Sequence, residues 1–178
     1  LLDNGELDCV IASFTVTDER KKSWNFTQQY RLEPVTFMVS KDSGAKTLAD
    51  MDGFVIGVGQ GTTTAELIEQ YAKDKGIDVN YEVQDFQYIS DGVAALKTGQ
   101  IDAYSVDRTG LIAYMDDSMM LTEDAFGVQD IGIALKLGND ELTKFMDDTL
   151  TELKESGRLD ELKAKWGILT DEEVAAMQ

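Results

Sequence analysis

The sequence of 178 residues contains no histidine, one cysteine and one proline. The absence of histidine removes the side chain that most often serves as a general base near neutral pH and that most often ligates zinc. The single cysteine, Cys9, cannot form a disulfide within the chain, and its place in an apolar run indicates a small buried hydrophobe. We therefore expect no metal and no cofactor.

Positive charge is also scarce, with 16 Lys and Arg residues against 34 Asp and Glu residues and a net charge of −18. Without a basic stripe, the chain is not expected to bind nucleic acid or an anionic membrane surface. No run of 18 apolar residues occurs, so the sequence predicts no membrane span. Apolar residues at 43% and charged residues at 28% are typical of a globular chain.

Strand-like and helix-like segments alternate along the chain, which predicts an α/β fold with largely parallel sheets. A buried strand is predicted at residues 8–13, another at 35–41 and a long one at 128–137. The first five residues look like the last turn of a helix that ends at Gly5. We therefore expect that the chain is cut and that upstream residues are missing.

A glycine-rich turn at residues 57–64, GVGQGTTT, joins a predicted strand to a predicted helix. Such a turn presents backbone N–H groups to an anion, and Thr62 or Thr63 can cap them. It lacks the lysine of a phosphate-binding P-loop and the third glycine of the dinucleotide fingerprint. The alternative interpretation is a tight turn followed by a capped helix.

A second polar segment, SFTVTDERK, follows the predicted strand at 8–13, where open α/β sheets place their ligands. The planar guanidinium of Arg20 suits bidentate binding of a carboxylate. Ser13 and Thr15 are alternate residues and point the same way if the strand continues. Alternatively, Arg20 pairs with Asp18 or Glu19 at the surface.

Asp107 ends a predicted strand just before a predicted helix. It is either an ordinary N-cap or an acid that receives a ligand ammonium. A guanidinium, an anion-binding helix end and an acid are together complementary to a zwitterion. Because none of these groups is a nucleophile beside a base, the set indicates a binding site and not a reaction site.

These segments resemble the amino-acid-binding class of bacterial ABC-transporter substrate-binding proteins, extracellular solute-binding family 3, truncated at the N-terminus. The likeness is carried by LDCVIASFTVTDERKKSWNFTQQY, LADMDGFVIGVGQGTTT and IDAYSVDRTGLIAY, and it continues through residues 131–168. The resemblance implies the two-lobed, α/β type II periplasmic binding protein fold. Lobe 1 would comprise residues 1–36 and the return strand and helices of 131–178, and lobe 2 residues 37–130. Because lobe 1 would be incomplete at its N-terminus, its edge strands could recruit a swapped or self-associated partner.

The resemblance also implies a carboxylate site. Arg20 would clamp the ligand α-carboxylate, helped by the backbone N–H groups of Thr15 and Thr63. Thr62 would shape the helix end.

The α-ammonium would go to Asp107, together with the Ser13 carbonyl and the Thr15 hydroxyl. The implied protein is not an enzyme. It binds a free polar or acidic amino acid, with glutamate or aspartate favoured and glutamine next, and delivers it to the permease of an ABC importer. It would be periplasmic or at the cell surface, with a lipid anchor left open. The alternatives are a cyclohexadienyl-dehydratase-like enzyme on this fold and the ligand-binding domain of a sensor or receptor.

Overall fold

The computed structural model describes residues 1–177, which divide into two compact units. Unit 1 combines Leu1–Glu33 with Gln129–Met177, and unit 2 is Pro34–Val128. The chain passes from one unit to the other twice, each time within a strand. The two units are defined only by how compactly their residues pack. The predicted lobe ranges, 1–36 with 131–178 for lobe 1 and 37–130 for lobe 2, therefore stay a prediction.

Nine strands are assigned among the described residues: β1 (Cys9–Val10), β2 (Trp24–Phe26), β3 (Arg31–Ser40), β4 (Phe54–Gly59), β5 (Tyr81–Phe86), β6 (Ala103–Asp107), β7 (Met119–Leu121), β8 (Phe126–Ile131) and β9 (Ala134–Lys136).

Six α-helices are assigned in the same part of the chain: α1 (Thr64–Lys75), α2 (Ile89–Lys97), α3 (Arg108–Ile112), α4 (Asp140–Glu155), α5 (Arg158–Lys165) and α6 (Asp171–Ala175). Short 3-10 turns occur at Arg20–Lys22, Lys41–Ser43 and Leu48–Asp50. Within residues 1–177, no helix combines the length and the apolar character needed to cross a bilayer.

The larger sheet has the strand order β5-β4-β6-β3-β7, and β8 also pairs with β3. Strand β4 is parallel to both β5 and β6, whereas β3 is antiparallel to β6 and β7. Side chains of β3 alternate between the two faces: Val35, Phe37 and Val39 join one buried cluster and Met38 joins the other. Because α1 packs in the first cluster and α2 in the second, unit 2 buries both faces of its sheet.

A buried carboxylate links α1 to two loops of unit 2. Asp124 accepts hydrogen bonds from the backbone N of Leu48 and from the hydroxyl of Tyr71, both at 2.6 Å. Burial, and then the bond to Asp124, raise the pKa of Tyr71 to about 12. The phenol therefore stays protonated and donates to Asp124 at any physiological pH.

The smaller sheet belongs to unit 1 and has the order β1-β9-β2. Helix α4 presents Leu142, Met146 and Leu150, one turn apart, to the buried Ile133 and Leu135 at β9.

Helix α6 is held to α5 by the Lys163 ammonium, which lies 2.9 Å from Asp171 Oδ1. Burial raises the pKa of Asp171, but the hydrogen bond and the charge of Lys163 outweigh it, and the pKa lies below its usual value.

Three expectations about strands are wrong. The sheets are not largely parallel, because every pairing in the smaller sheet is antiparallel. The strand predicted at 8–13 is confined to Cys9–Val10, since the chain bends at residues 12 and 13. The strand predicted at 128–137 is two strands, because β8 pairs with β3 and β9 pairs with β1 and β2.

Candidate functional site

In unit 1, residues 14–16 are fixed against the end of β8. Thr15 forms an isolated antiparallel bridge with Ile131. The flanking bonds run from Val16 N to Asp130 O at 2.8 Å and from Gly132 N to Phe14 O at 3.4 Å. In this pattern the N–H and C=O of the bridged residue itself point away from its partner strand. The backbone of Thr15 therefore turns its polar groups outward from Ile131.

A glycine allows this close approach. A Cβ atom at Gly132 would lie 2.8 Å from Cγ2 of Val16 and 3.2 Å from the carbonyl oxygen of Thr27. Any side chain at this position would push residues 14–16 away from the strand that holds them.

Arg20 reaches back to the same segment from the start of the 3-10 turn. Its Nη1 donates to the carbonyl oxygen of Thr15 at 2.9 Å, and its guanidinium lies 4.5 Å from the centre of the Phe14 ring. Since the Thr15 carbonyl and N–H share one edge of the backbone, the Arg20 guanidinium and the Thr15 N–H lie on the same side. The structure thus brings together two of the groups predicted to bind a carboxylate.

The acids next to Arg20 in the sequence have lysine partners. Asp18 lies 3.7 Å from the ammonium of Lys21, and Glu19 is paired with Lys22. These are exposed pairs one helical turn apart, which contribute little to stability.

Ser13 is exposed and is contacted by a buried ion pair that the sequence analysis missed. Arg31 donates Nη1 to Glu33 and Nη2 to the hydroxyl of Ser13. Arg31 is 6% exposed and Glu33 is 1% exposed. The sequence did contain a signal for this pair. Arg31 and Glu33 have opposite charges, are two residues apart and so share one face of a strand, and directly precede the only proline in the sequence.

Gln129 is a second residue that the sequence analysis missed. Its amide is buried and accepts a hydrogen bond from the hydroxyl of Thr15 at 2.7 Å. Within unit 1, Ser13 and Thr15 are therefore each hydrogen-bonded by a buried polar side chain.

In unit 2, the glycine-rich turn has a defined geometry. Gly61 adopts φ 71°, which favours glycine, and a Cβ at Gly59 would lie 2.8 Å from Cγ2 of Thr62. The Thr62 hydroxyl lies 2.8 Å from Gly59 O and accepts from Thr64 N at 3.4 Å. Thr63 occupies the N-cap position without a side-chain capping bond. Of the two candidate caps, Thr62 is the one whose hydroxyl contacts the helix start.

Asp107 is the last residue of β6 and precedes α3, but its side chain makes no capping bond to that helix. Gly57 pairs with Tyr104 and Val58 with Ser105 in the parallel ladder of β4 and β6. The carboxyl ends of these strands therefore lie side by side, which brings the Thr62–Thr63 turn and Asp107 to one edge of the sheet. Ligands of open α/β sheets bind at this edge.

Residues 1–177 contain no group of three or more cysteine, aspartate or glutamate side chains arranged to hold a metal ion.

Residues 1–168 match the family described as bacterial extracellular solute-binding proteins, family 3. The chain belongs to this family. The sequence is similar to the L-cystine-binding protein TcyJ of Escherichia coli (strain K12), with 35% identity over 93% of this chain and 62% of that protein. It is also similar to the ABC transporter glutamine-binding protein GlnH of Bacillus subtilis (strain 168), with 31% identity over 93% of this chain and 60% of that protein. The chain thus spans somewhat over half the length of these curated relatives.

Solved structures with the same fold include an ancestral arginine-binding protein bound to arginine, with a TM-score of 0.78, 32% identity, and coverage of 93% of this chain and 74% of that one. Another is the ancestral amino acid-binding protein AncCDT-1, described as a precursor of cyclohexadienyl dehydratase, with a TM-score of 0.78 and 27% identity over 93% of this chain and 71% of that one. The predicted family and the predicted α/β fold of type II periplasmic binding proteins are confirmed.

Proposed function

We propose that this chain binds a free amino acid outside the cytoplasm and delivers it to the permease of an ABC importer, without chemical conversion. Membership of the solute-binding family supports the proposal, as do relatives named for cystine, glutamine and arginine. The observation that carries it is the contact of the Arg20 guanidinium with the backbone of Thr15.

Arg20 is proposed to bind the α-carboxylate. A guanidinium carries five N–H donors in one plane, and the bond from Nη1 to Thr15 O fixes that plane. The Thr15 N–H on the same side is a further donor for a carboxylate oxygen. In unit 2, the N–H groups at the start of α1, with Thr62 and Thr63 beside them, have the same preference for an anion.

Asp107 is proposed to bind the α-ammonium, with the carbonyl of Ser13 and the hydroxyl of Thr15 as neutral acceptors. Its place at the carboxyl end of β6, and the absence of a capping bond from its side chain to α3, favour this role over that of a simple helix cap. A carboxylate at this strand end is the chemical complement of an ammonium, since ionised donors and acceptors form the stronger hydrogen bonds.

The ligand side chain is proposed only as a class. The sequence resemblance favours glutamate or aspartate and then glutamine, whereas the relatives reported above are named for cystine, glutamine and arginine. All five amino acids therefore belong in a test panel.

Titration calorimetry of the 178-residue chain against L-glutamate, L-aspartate, L-glutamine, L-cystine and L-arginine tests the proposal. Asp107→Asn keeps the shape of the side chain and removes its charge, so affinity for the best ligand should fall about tenfold or more. The ligand-free melting temperature should change little.

The matched control is Asp102→Asn, at the opposite end of the same strand, where Asp102 accepts a bond from Val55 N at 2.8 Å. Its affinity should equal that of the parent. If Asp107→Asn lowers stability but leaves affinity unchanged, Asp107 is structural and the ammonium site lies elsewhere.

Catalysis is the alternative to simple binding. The likeness to a precursor of cyclohexadienyl dehydratase makes the assay specific: incubation with a cyclohexadienyl acid should yield no product. Turnover that is abolished by Asp107→Asn would replace the binding proposal with an enzymatic one.

Self-association through residues 8–13 stays a prediction. Strand β1 lies at one edge of its sheet, and Ile11 just after it is 62% exposed. Light scattering should detect dimers at high concentration that Ile11→Lys removes, whereas a monomer at every concentration would contradict the idea.

A further inference from the structure

Gln129 is placed so that it can act on a single ligand-binding side chain. It is 5% exposed and lies two residues before Ile131, the bridge partner of Thr15. Residues i and i+2 of a strand point to the same face, and the residues on either side of Thr15, Phe14 and Val16, are bonded to that strand through their backbones. The contact between the two side chains is therefore held by the backbone on both sides.

The hydrogen bond between the two side chains has only one possible direction. Oε1 of Gln129 is an amide oxygen and can only accept, so the Thr15 hydroxyl donates its single proton to it at 2.7 Å. A hydroxyl whose proton is used in this way offers only lone pairs to any other partner. A ligand that meets Thr15 Oγ1 must then bring a donor.

We propose that Gln129 is a positioning residue that makes the Thr15 hydroxyl a hydrogen-bond acceptor, and thereby directs it to the ammonium of the bound amino acid. The inference rests on the proposed function, since it concerns the same ligand. The proposed effect of Gln129 on the ligand passes through its hydrogen bond with Thr15. If the Gln129 amide oxygen is removed, the Thr15 hydroxyl is free to rotate and to donate its proton to the ligand. It then no longer discriminates against ligand groups that accept hydrogen bonds.

A double-mutant cycle tests this inference. Gln129→Met removes the amide at similar length, and Thr15→Val removes the hydroxyl at similar shape. Calorimetry uses whichever of L-cystine, L-glutamine, L-arginine, L-glutamate and L-aspartate the parent binds most tightly. Gln129→Met should weaken binding about tenfold in the parent and less than about twofold in the Thr15→Val background, because the two side chains act as one unit.

Two conservative variants separate positioning from folding. Gln129→Glu keeps an acceptor for the Thr15 hydroxyl and should retain affinity within about threefold of the parent. Thr15→Ser keeps the hydroxyl and should keep the full sensitivity to Gln129→Met. A structural role alone would lower affinity equally in both backgrounds and would not be reversed by glutamate.

The outcomes distinguish the inference from the proposal beneath it. Equal losses from Gln129→Met with and without the Thr15 hydroxyl would overturn the inference and leave amino-acid binding intact. A parent protein that binds none of the five amino acids would overturn the proposed function, and the inference would fall with it.

Discussion

Replacing Arg20 by alanine separates its role in holding the chain from its role in holding a ligand. Among its contacts within unit 1, Arg20 donates a hydrogen bond to Thr15 O and lies over the ring of Phe14. The bond is worth about 1 kcal/mol and the ring contact about 0.5–1 kcal/mol, so loss of these two contacts should lower the free energy of unfolding by roughly 1.5–2 kcal/mol. This loss is independent of any ligand.

The loss of affinity should be larger. A charge-assisted bidentate contact with a carboxylate is worth about 2–4 kcal/mol, which corresponds to a roughly 30- to 800-fold rise in Kd. Arg20→Lys keeps the charge but not the planar pair of donors, so its Kd should lie between those of the parent and of Arg20→Ala. Calorimetric titration measures the Kd, and urea unfolding without ligand measures the free energy of unfolding.

Arg158→Ala is the matched control, because Arg158 forms an exposed ion pair with Glu161 at 2.7 Å on α5. It should change the Kd not at all and the free energy of unfolding by no more than a few tenths of a kcal/mol. The reasoning is refuted if Arg20→Ala loses stability as expected but binds the ligand as tightly as the parent does. Arg20 would then be a structural residue that only supports Thr15.

Three further changes test the packing around the site and the pH dependence of each unit. Gly132→Ala should lower both thermal stability and affinity, because its Cβ would collide with Val16 and displace residues 14–16. Tyr71→Phe should remove part of the loss of stability of unit 2 at alkaline pH. The pKa of Tyr71 is raised to about 12. Its hydrogen bond to Asp124 therefore stabilises fully below pH 10 and is lost as the pH rises towards 12. Asp171→Asn should destabilise most at pH 7 and progressively less in acid. A carboxyl with a lowered pKa stabilises above its usual pKa and loses that contribution as the pH falls and acid protonates it beside Lys163.

Each of these three predictions would be contradicted by a specific result. Gly132→Ala with parental melting and affinity would mean that the neighbouring segment yields without loss. For Tyr71→Phe, denaturant unfolding at pH 9 and pH 11 should differ less than in the parent, and an equal difference would assign the alkaline loss to other groups. A deficit for Asp171→Asn that stays constant from pH 7 down to the acid unfolding of the parent would show that its charge does not matter to α6.

The sequence was sufficient for most of unit 2 because the signals there are local. The glycine-rich turn at residues 57–64 predicts a helix after it, and α1 begins at Thr64. Asp107 and the Thr62–Thr63 turn could be assigned to strand ends because parallel strands with helical crossovers bring such ends together.

Unit 1 was harder to predict because its contacts join distant parts of the chain. Thr15 meets Gln129 across 114 residues, and no local pattern carries that information. Strand β2 is only three residues long and forms because β9 is there to pair with it. The buried pair of Arg31 and Glu33 falls where composition predicts exposure, since charged side chains are buried only when a partner is already in place.

The way the chain divides has a consequence for the order of folding during synthesis. Unit 2 is one continuous segment that ends at Val128, so all of it has been synthesised before any of β9. Unit 1 must wait, because β1 pairs with β9 and Cys9 meets Leu135. Closing β1 onto β9 joins segments more than a hundred residues apart, and the entropy lost in closing a loop rises with the length of flexible chain between its ends. Vectorial synthesis would then let the contiguous unit 2 fold before the pairing of β1 with β9 completes unit 1.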